Sequence, residues 1–282
     1  MASAHLRYLH PNSQSYSDAE VHHLALTLSG FRDALSGTLS GENADVVTAC
    51  SVILLHHAWT VAYSAEGSLN LHTSVDIGAD NMIAFSAGLR SVLQSVWHVR
   101  EKSIFKDIIN PRMVNGFKAW AITESYPCKL EEIFIGHSRL AWPNAGDGER
   151  ACLGLDYASM DTIDRLTPVM RAADFMRRGA SLTYLLTEIS PYLLMWLGKC
   201  SDAFQKDVKG NDEEALLMLL CFYLCTLSLL SKDNWWVRDR SKFMIEAISE
   251  RLRKNHNECG ERAAFICNYF GVESRKFNLV DD

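Results

Sequence analysis

The stretch ALLMLLCFYLCTLSLLSKDNWW, from Ala215 to Trp236, decides the fold. Through Leu230 nearly every residue is apolar, and the apolar positions cover every face of a helix. A helix that is hydrophobic all round must be buried on all sides. A membrane span asks for roughly 20 apolar residues in a row, and Ser231-Lys232-Asp233-Asn234 closes this run early. The stretch therefore predicts the central helix of a sizeable soluble core, with no membrane span, ended by a polar turn and a tryptophan pair. Long apolar helices of water-soluble chains pack against neighbours.

Helical periodicity extends outward on both sides. Ala2 to Leu9 reads as the tail of a helix stopped by His10-Pro11-Asn12, which suggests a trimmed chain, a truncated gene product or a lost front end. Ser17-Asp18 can cap a long helix to about Leu39, with Val21, Leu24, Leu28, Phe31 and Leu35 as its apolar stripe. Asn43 caps a second helix from Ala44 to about Ala65, antiparallel to the first. A loop is expected over 69–80, and a third helix over 81–102. Shorter helices are expected near 117–123 and 130–140, then a loop at Trp142–Gly148.

Thr167-Pro168 and Ser190-Pro191 each pair a capping residue with a proline suited to a first helical position. Gly179 stands where a helix would end. Helices are thus predicted near 168–178, 181–189, 191–207 and 213–230, with a final pair near 240–254 and 259–269. Period-two alternation is almost absent, so no sheet is expected. Six prolines and sixteen glycines are scattered, and no linker marks a boundary. The prediction is one all-α, multi-helix, bundle-like domain over 1–282 around a central buried helix.

The net charge of −6 leaves no global basic footprint for nucleic acid. Arg251-Leu-Arg253-Lys254 is the densest basic cluster and ends a predicted helix, where cations complement the macrodipole. The eight cysteines contain no CxxC pair. Cys221 and Cys225 share one face of the buried helix and read as small hydrophobes rather than metal ligands. With no secretory signal before the first helix, the thiols are expected to stay reduced inside a cell.

His22-His23 and His56-His57 are adjacent pairs, which point about 100° apart on a helix and cannot chelate one metal alone. Asp161 and Asp164, Asp212-Glu213-Glu214, and Asp281-Asp282 do not make the paired carboxylate motif that magnesium-diphosphate chemistry requires. A G-x-S-x-G nucleophile elbow is also missing. No catalytic residue, metal ligand or cofactor is assigned, and the chain is not read as an enzyme.

The aromatic and methionine content carries more. Met195, Trp196, Met218, Phe222, Trp235, Trp236 and Met244 fall on successive helices around the buried one. Trp and Met lining an irregular interior can leave a cavity for a hydrophobic guest, or they can be plain core.

The segment Trp196-Leu-Gly-Lys-Cys-Ser-Asp-Ala-Phe204, then Ala215-Leu216, then Trp235-Trp236-Val237-Arg238-Asp239, resembles the C-terminal regulatory domain of fungal zinc-cluster transcription factors related to the yeast sterol-uptake regulators. Tyr16, Ala19, His22 or His23, Ala25-Leu26, Phe31-Arg32, Leu35, Asn43 and Ser51 follow that family's first two long helices. The resemblance implies an α-helical module that binds a sterol-like or other lipophilic molecule, a partner protein or a second copy, and moves between nucleus and cytoplasm. Trp196, Met218, Phe222 and Trp235 are the implied ligand-binding residues, and Trp236 is expected in the core or at the pocket.

Two departures stand against the family's pattern. The six-cysteine zinc cluster and its basic linker are missing, so residues 1–282 are expected not to bind specific DNA by themselves. Arg238 stands where the family usually has glycine. The alternative is a stand-alone enzyme or carrier of fungal secondary metabolism that uses the apolar pocket of the same scaffold.

Overall fold

The computed structural model describes residues 2–10, 13–37, 41–60, 77–106, 117, 120–121, 128–134, 157–182, 186–230, 234–254 and 258–272. Of the described residues, 87% are helical and none is in a strand, which establishes the all-α class. The predicted loop at Trp142–Gly148 lies outside the described residues. The chain divides into two compact units. The first holds Met1–Glu66, Asp80–Asn115 and Leu197–Lys199, and the second Gly67–Ala79, Gly116–Trp196 and Cys200–Asp282.

In the first unit, α1 (Ala2–Leu9), α2 (Gln14–Ser36) and α3 (Gly41–Thr60) pack on one another, and α4 (Asn81–Ser95) packs on α3. Ser13 rather than Ser17 precedes α2, with extended backbone and no side-chain cap. A buried pair joins α2 to α3, with His57 Nε2 at 2.8 Å from Glu20 Oε1. Asp80 caps α4 by accepting from the Met82 amide at 2.9 Å. The third helix predicted over 81–102 changes character at Val96, beyond which Trp97–Lys102 form a 3-10 turn. The Ser103 hydroxyl and the Ile104 amide both donate to the carboxylate of Asp45, tying that turn to α3. Ala44, Val47, Val92 and Val96 form the local core, with Phe31 and Phe105 packed against it.

The predicted apolar stripe of α2 does not face that core as a whole. Leu24 and Phe31 are half-buried, while Val21 is 65% exposed, Leu28 39% and Leu35 41%.

The second unit is built on α9 (Glu213–Leu230), whose bounds are those predicted from its composition. Every residue from Ala215 to Thr226 is buried. By length and composition α9 could cross a membrane, and 78% of it is buried inside the protein. Around it pack α6 (Tyr157–Arg177), α8 (Asp202–Lys209), α10 (Trp235–Arg253) and α11 (Glu258–Tyr269). The short α5 (Lys129–Phe134) lies on α6. Asp212 starts α9 by accepting from the Ala215 amide at 3.0 Å. Arg262 of α11 pairs with Glu214 and donates to the Ile133 carbonyl at 3.0 Å, so one guanidinium joins three segments of the unit.

Neither proline starts a helix. Pro168 lies inside α6 and Pro191 inside α7 (Leu186–Lys199), which corrects the expectation of helix starts at both. The Thr167 hydroxyl donates back to the Ile163 carbonyl at 3.0 Å instead of capping forward. An interior proline costs about 3 kcal/mol. Pro168 and its neighbours from Leu166 to Met170 are buried, and that packing opposes the cost. The Tyr192 hydroxyl donates at 2.7 Å to the Arg165 carbonyl, in the turn before Pro168. Gly179 does end α6. Its φ of +87° suits glycine, and the bonds Gly179 N to Met176 O (2.9 Å) and Ala180 N to Phe175 O (3.3 Å) close a Schellman motif.

Candidate functional site

Two places in the second unit bear on ligand binding. The first is the cluster singled out from sequence. Trp196 lies flat on Phe222, with ring centroids 4.4 Å apart and planes 11° from parallel. Phe204 meets the same indole edge-on at 5.8 Å, and Tyr223 meets Phe222 at 5.3 Å. Met218 sits one turn before Phe222 and is also buried. Three of the four predicted residues thus belong to the interior around α9, and two are in direct contact. The side chain of Trp235 lies outside the described residues. Trp236 is half-buried rather than a core residue. The buried Trp196 Nε1 has no hydrogen-bond partner among the described residues.

The second place is a cleft of about 190 Å³ lined by Trp120, Cys128, Arg178, Ala180 and, from α6, Arg171, Asp174 and Phe175. None of the four residues predicted from sequence lines it. Positions 171, 174, 175 and 178 follow the helical i, i+3, i+4, i+7 rhythm, so α6 and the turn after it present them on one face. Trp120 packs edge-on against Phe175 at 5.6 Å and stacks on Phe117 at 6.0 Å, forming an aromatic wall.

The polar groups of the cleft are held by protein partners. Arg171 donates to both carboxylate oxygens of Glu131, at 2.6 and 3.2 Å, and to the Ala121 carbonyl at 2.5 Å. Those bonds fix the guanidinium plane and join α5 to α6. The carboxylate of Asp174 accepts from the Tyr269 hydroxyl, lies 2.6 Å from Arg178 Nη2, and accepts from Arg177 Nη2 at 3.3 Å. The Arg177 guanidinium also lies 4.1 Å over the Tyr269 ring. Burial, then the bond to Asp174, raise the Tyr269 phenol above its ordinary range.

Cys128 precedes α5, and its thiol points to the Met170 carbonyl at 3.7 Å. Burial pushes this thiol up to about 12, so it is neutral at physiological pH and a poor nucleophile. The cleft therefore offers shape, aromatic surface and, at its rim, the half-exposed Arg178 paired with Asp174, rather than an activated nucleophile.

The sequence signals do not point to this face. The helical spacing of Arg171, Asp174, Phe175 and Arg178 is visible in the chain, but nothing local indicates that Trp120, Cys128 and Tyr269 would meet it. Among the described residues, no group of three or more His, Cys, Asp or Glu could hold a metal ion. No family model, curated protein or solved structure matches the chain.

Proposed function

We propose that the chain is a ligand-responsive regulatory module of the fungal zinc-cluster transcription-factor type, and that the cleft on α6 receives part of a flat, largely apolar molecule carrying an anionic edge. The single observation that carries the ligand reading is the cleft itself, an aromatic wall of Trp120 and Phe175 beside the half-exposed Arg178. A ring system fits such a wall, and a carboxylate or sulfate suits the arginine at its rim. The regulatory reading rests on the resemblance of Trp196–Phe204, Ala215-Leu216 and Trp235–Asp239, together with an all-helical unit built on one buried helix.

Size limits the guest. Pockets that enclose a drug-sized molecule run from about 300 to 1,000 Å³, so a cleft of about 190 Å³ holds one end of a sterol-sized body and not the whole. In this role the module couples occupancy of the cleft to gene control, divides between cytoplasm and nucleus, and leaves DNA recognition to another module.

A thermal-shift panel of sterols, sterol sulfates and polycyclic aromatic carboxylates tests the ligand reading. A compound binding only the folded protein at a hundredfold excess over Kd stabilises it by about 2.7 kcal/mol. The anionic planar compounds are expected to raise Tm, and Trp120→Ala or Arg178→Gln to remove that rise. A shift that survives both variants but is lost in Met218→Ala places the guest in the sequence-predicted cluster instead. No stabiliser in the whole panel overturns the ligand reading.

A further inference from the structure

Helix α2 carries two stripes. Glu20, Leu24, Thr27, Phe31 and Ala34 are half-buried or buried and face the first unit, where Glu20 meets His57 and Phe31 and Ala34 pack on the local core. One residue further on, Val21, Ala25, Leu28, Arg32 and Leu35 repeat the same spacing and are all exposed. A 4-3-4-3 repeat of this kind is the signature of a helix that packs along its length against another helix. The first stripe already has its neighbours. The second presents Val21, Leu28 and Leu35 to solvent, with Leu26 at 58% exposure alongside.

Charge on this stripe identifies the occupant. Asp18 and Arg32 lie one heptad before and one heptad after Ala25 and are both exposed. Their present partners lie on the same helix. Asp18 accepts from Gln14 Nε2 at 2.7 Å, and Arg32 Nε stands 3.7 Å from Asp33. Rotating a second copy of α2 by a two-fold axis through Ala25 brings each Asp18 beside the partner's Arg32 and each Leu28 beside the partner's Val21. The small side chain of Ala25 lets the backbones approach at the crossing. A parallel arrangement would set Asp18 beside Asp18 and Arg32 beside Arg32, with like charges adjacent at both ends.

We infer that α2 is a homodimerisation helix, pairing antiparallel with α2 of a second copy along Val21, Ala25, Leu28 and Arg32. The interface is isologous, so one patch serves both subunits. A single helix pair lies at the small end of specific interfaces, so a dimer in the micromolar range is expected.

Sedimentation equilibrium of the full chain across micromolar concentrations tests this. The wild type is expected to pass from one 31.7 kDa chain to two as concentration rises. Leu28→Glu is expected to hold it monomeric with unchanged circular dichroism. Asp18→Arg and Arg32→Glu should each weaken the dimer by about tenfold or more, because like charges then face each other. The double variant, Asp18→Arg with Arg32→Glu, should restore wild-type association. A wild type that stays monomeric throughout overturns the inference. So does a dimer indifferent to Leu28→Glu, or a double variant no tighter than the singles.

Discussion

The indole of Trp196 and the ring of Phe222 stack 4.4 Å apart and 11° from parallel, each fully buried, so the centre of the second unit is an aromatic layer between α7 and α9. Truncating either ring removes the face of the other. Phe222→Ala is expected to cost about 3–5 kcal/mol in urea denaturation, as large-to-small changes at buried aromatic rings do. The half-buried Trp236 should cost less when truncated. Equal losses at both positions would show that the stack is not the centre of the core.

Arg171 and Glu131 are exposed at only 14% and 6% of their side chains, and their two-pronged contact ties α5 to α6. Removing one member leaves the other charged and buried, a change that costs about 3–5 kcal/mol. Arg171→Met and Glu131→Met should each destabilise strongly, and the double variant by much less than their sum. A double-mutant cycle with additive losses would contradict the coupling.

Two glycines should respond oppositely to alanine. A Cβ on Gly198 would stand 2.6 Å from the Ser86 carbonyl oxygen, within the first unit, and backbone must move to admit it. Gly88, in α4, has nothing within 4 Å of its would-be Cβ. Gly198→Ala is expected to destabilise by about 1–3 kcal/mol, and Gly88→Ala to stabilise by about 0.5–1 kcal/mol through helix propensity. Melting temperatures of the two variants check the contrast.

The Cys128 thiol is raised from 9.0 to about 12, chiefly by burial, with Asp174 and Glu131 adding and the Leu130 backbone bond opposing. The folded protein therefore keeps a proton that the unfolded chain releases above its own lower value. This contribution to stability is complete below pH 9 and is lost as pH rises through 12. Urea midpoints measured under reductant from pH 8 to about 11 should fall. Cys128→Ala should make that fall shallower, by up to about 1.4 kcal/mol per pH unit. An unchanged slope would mean that Cys128 gains its proton equally in both states.

What can be read from the chain alone is what depends on near neighbours. The span of α9 is legible because a segment apolar on every face has one stable environment, and Asp212 and the polar turn mark its ends. Gly179 is legible because its backbone needs a left-handed residue at that point. The same local logic fails at Pro168 and Pro191, where the surrounding interior keeps the helix going through a proline that would start one in isolation. It fails again on α2, since periodicity shows that Val21, Leu28 and Leu35 share a face but not whether the first unit has anything to set against it.

Long-range choices lie beyond it altogether. The pairing of Arg171 with Glu131 and of Asp174 with Tyr269, and the arrival of Trp120 against Phe175, join residues far apart in the chain. Local spacing aligns side chains on one helix; only the packing of one helix on another selects which of them meet. That is why the fold class is visible in the residues, while the cleft and the open stripe of α2 emerge only once the helices are assembled.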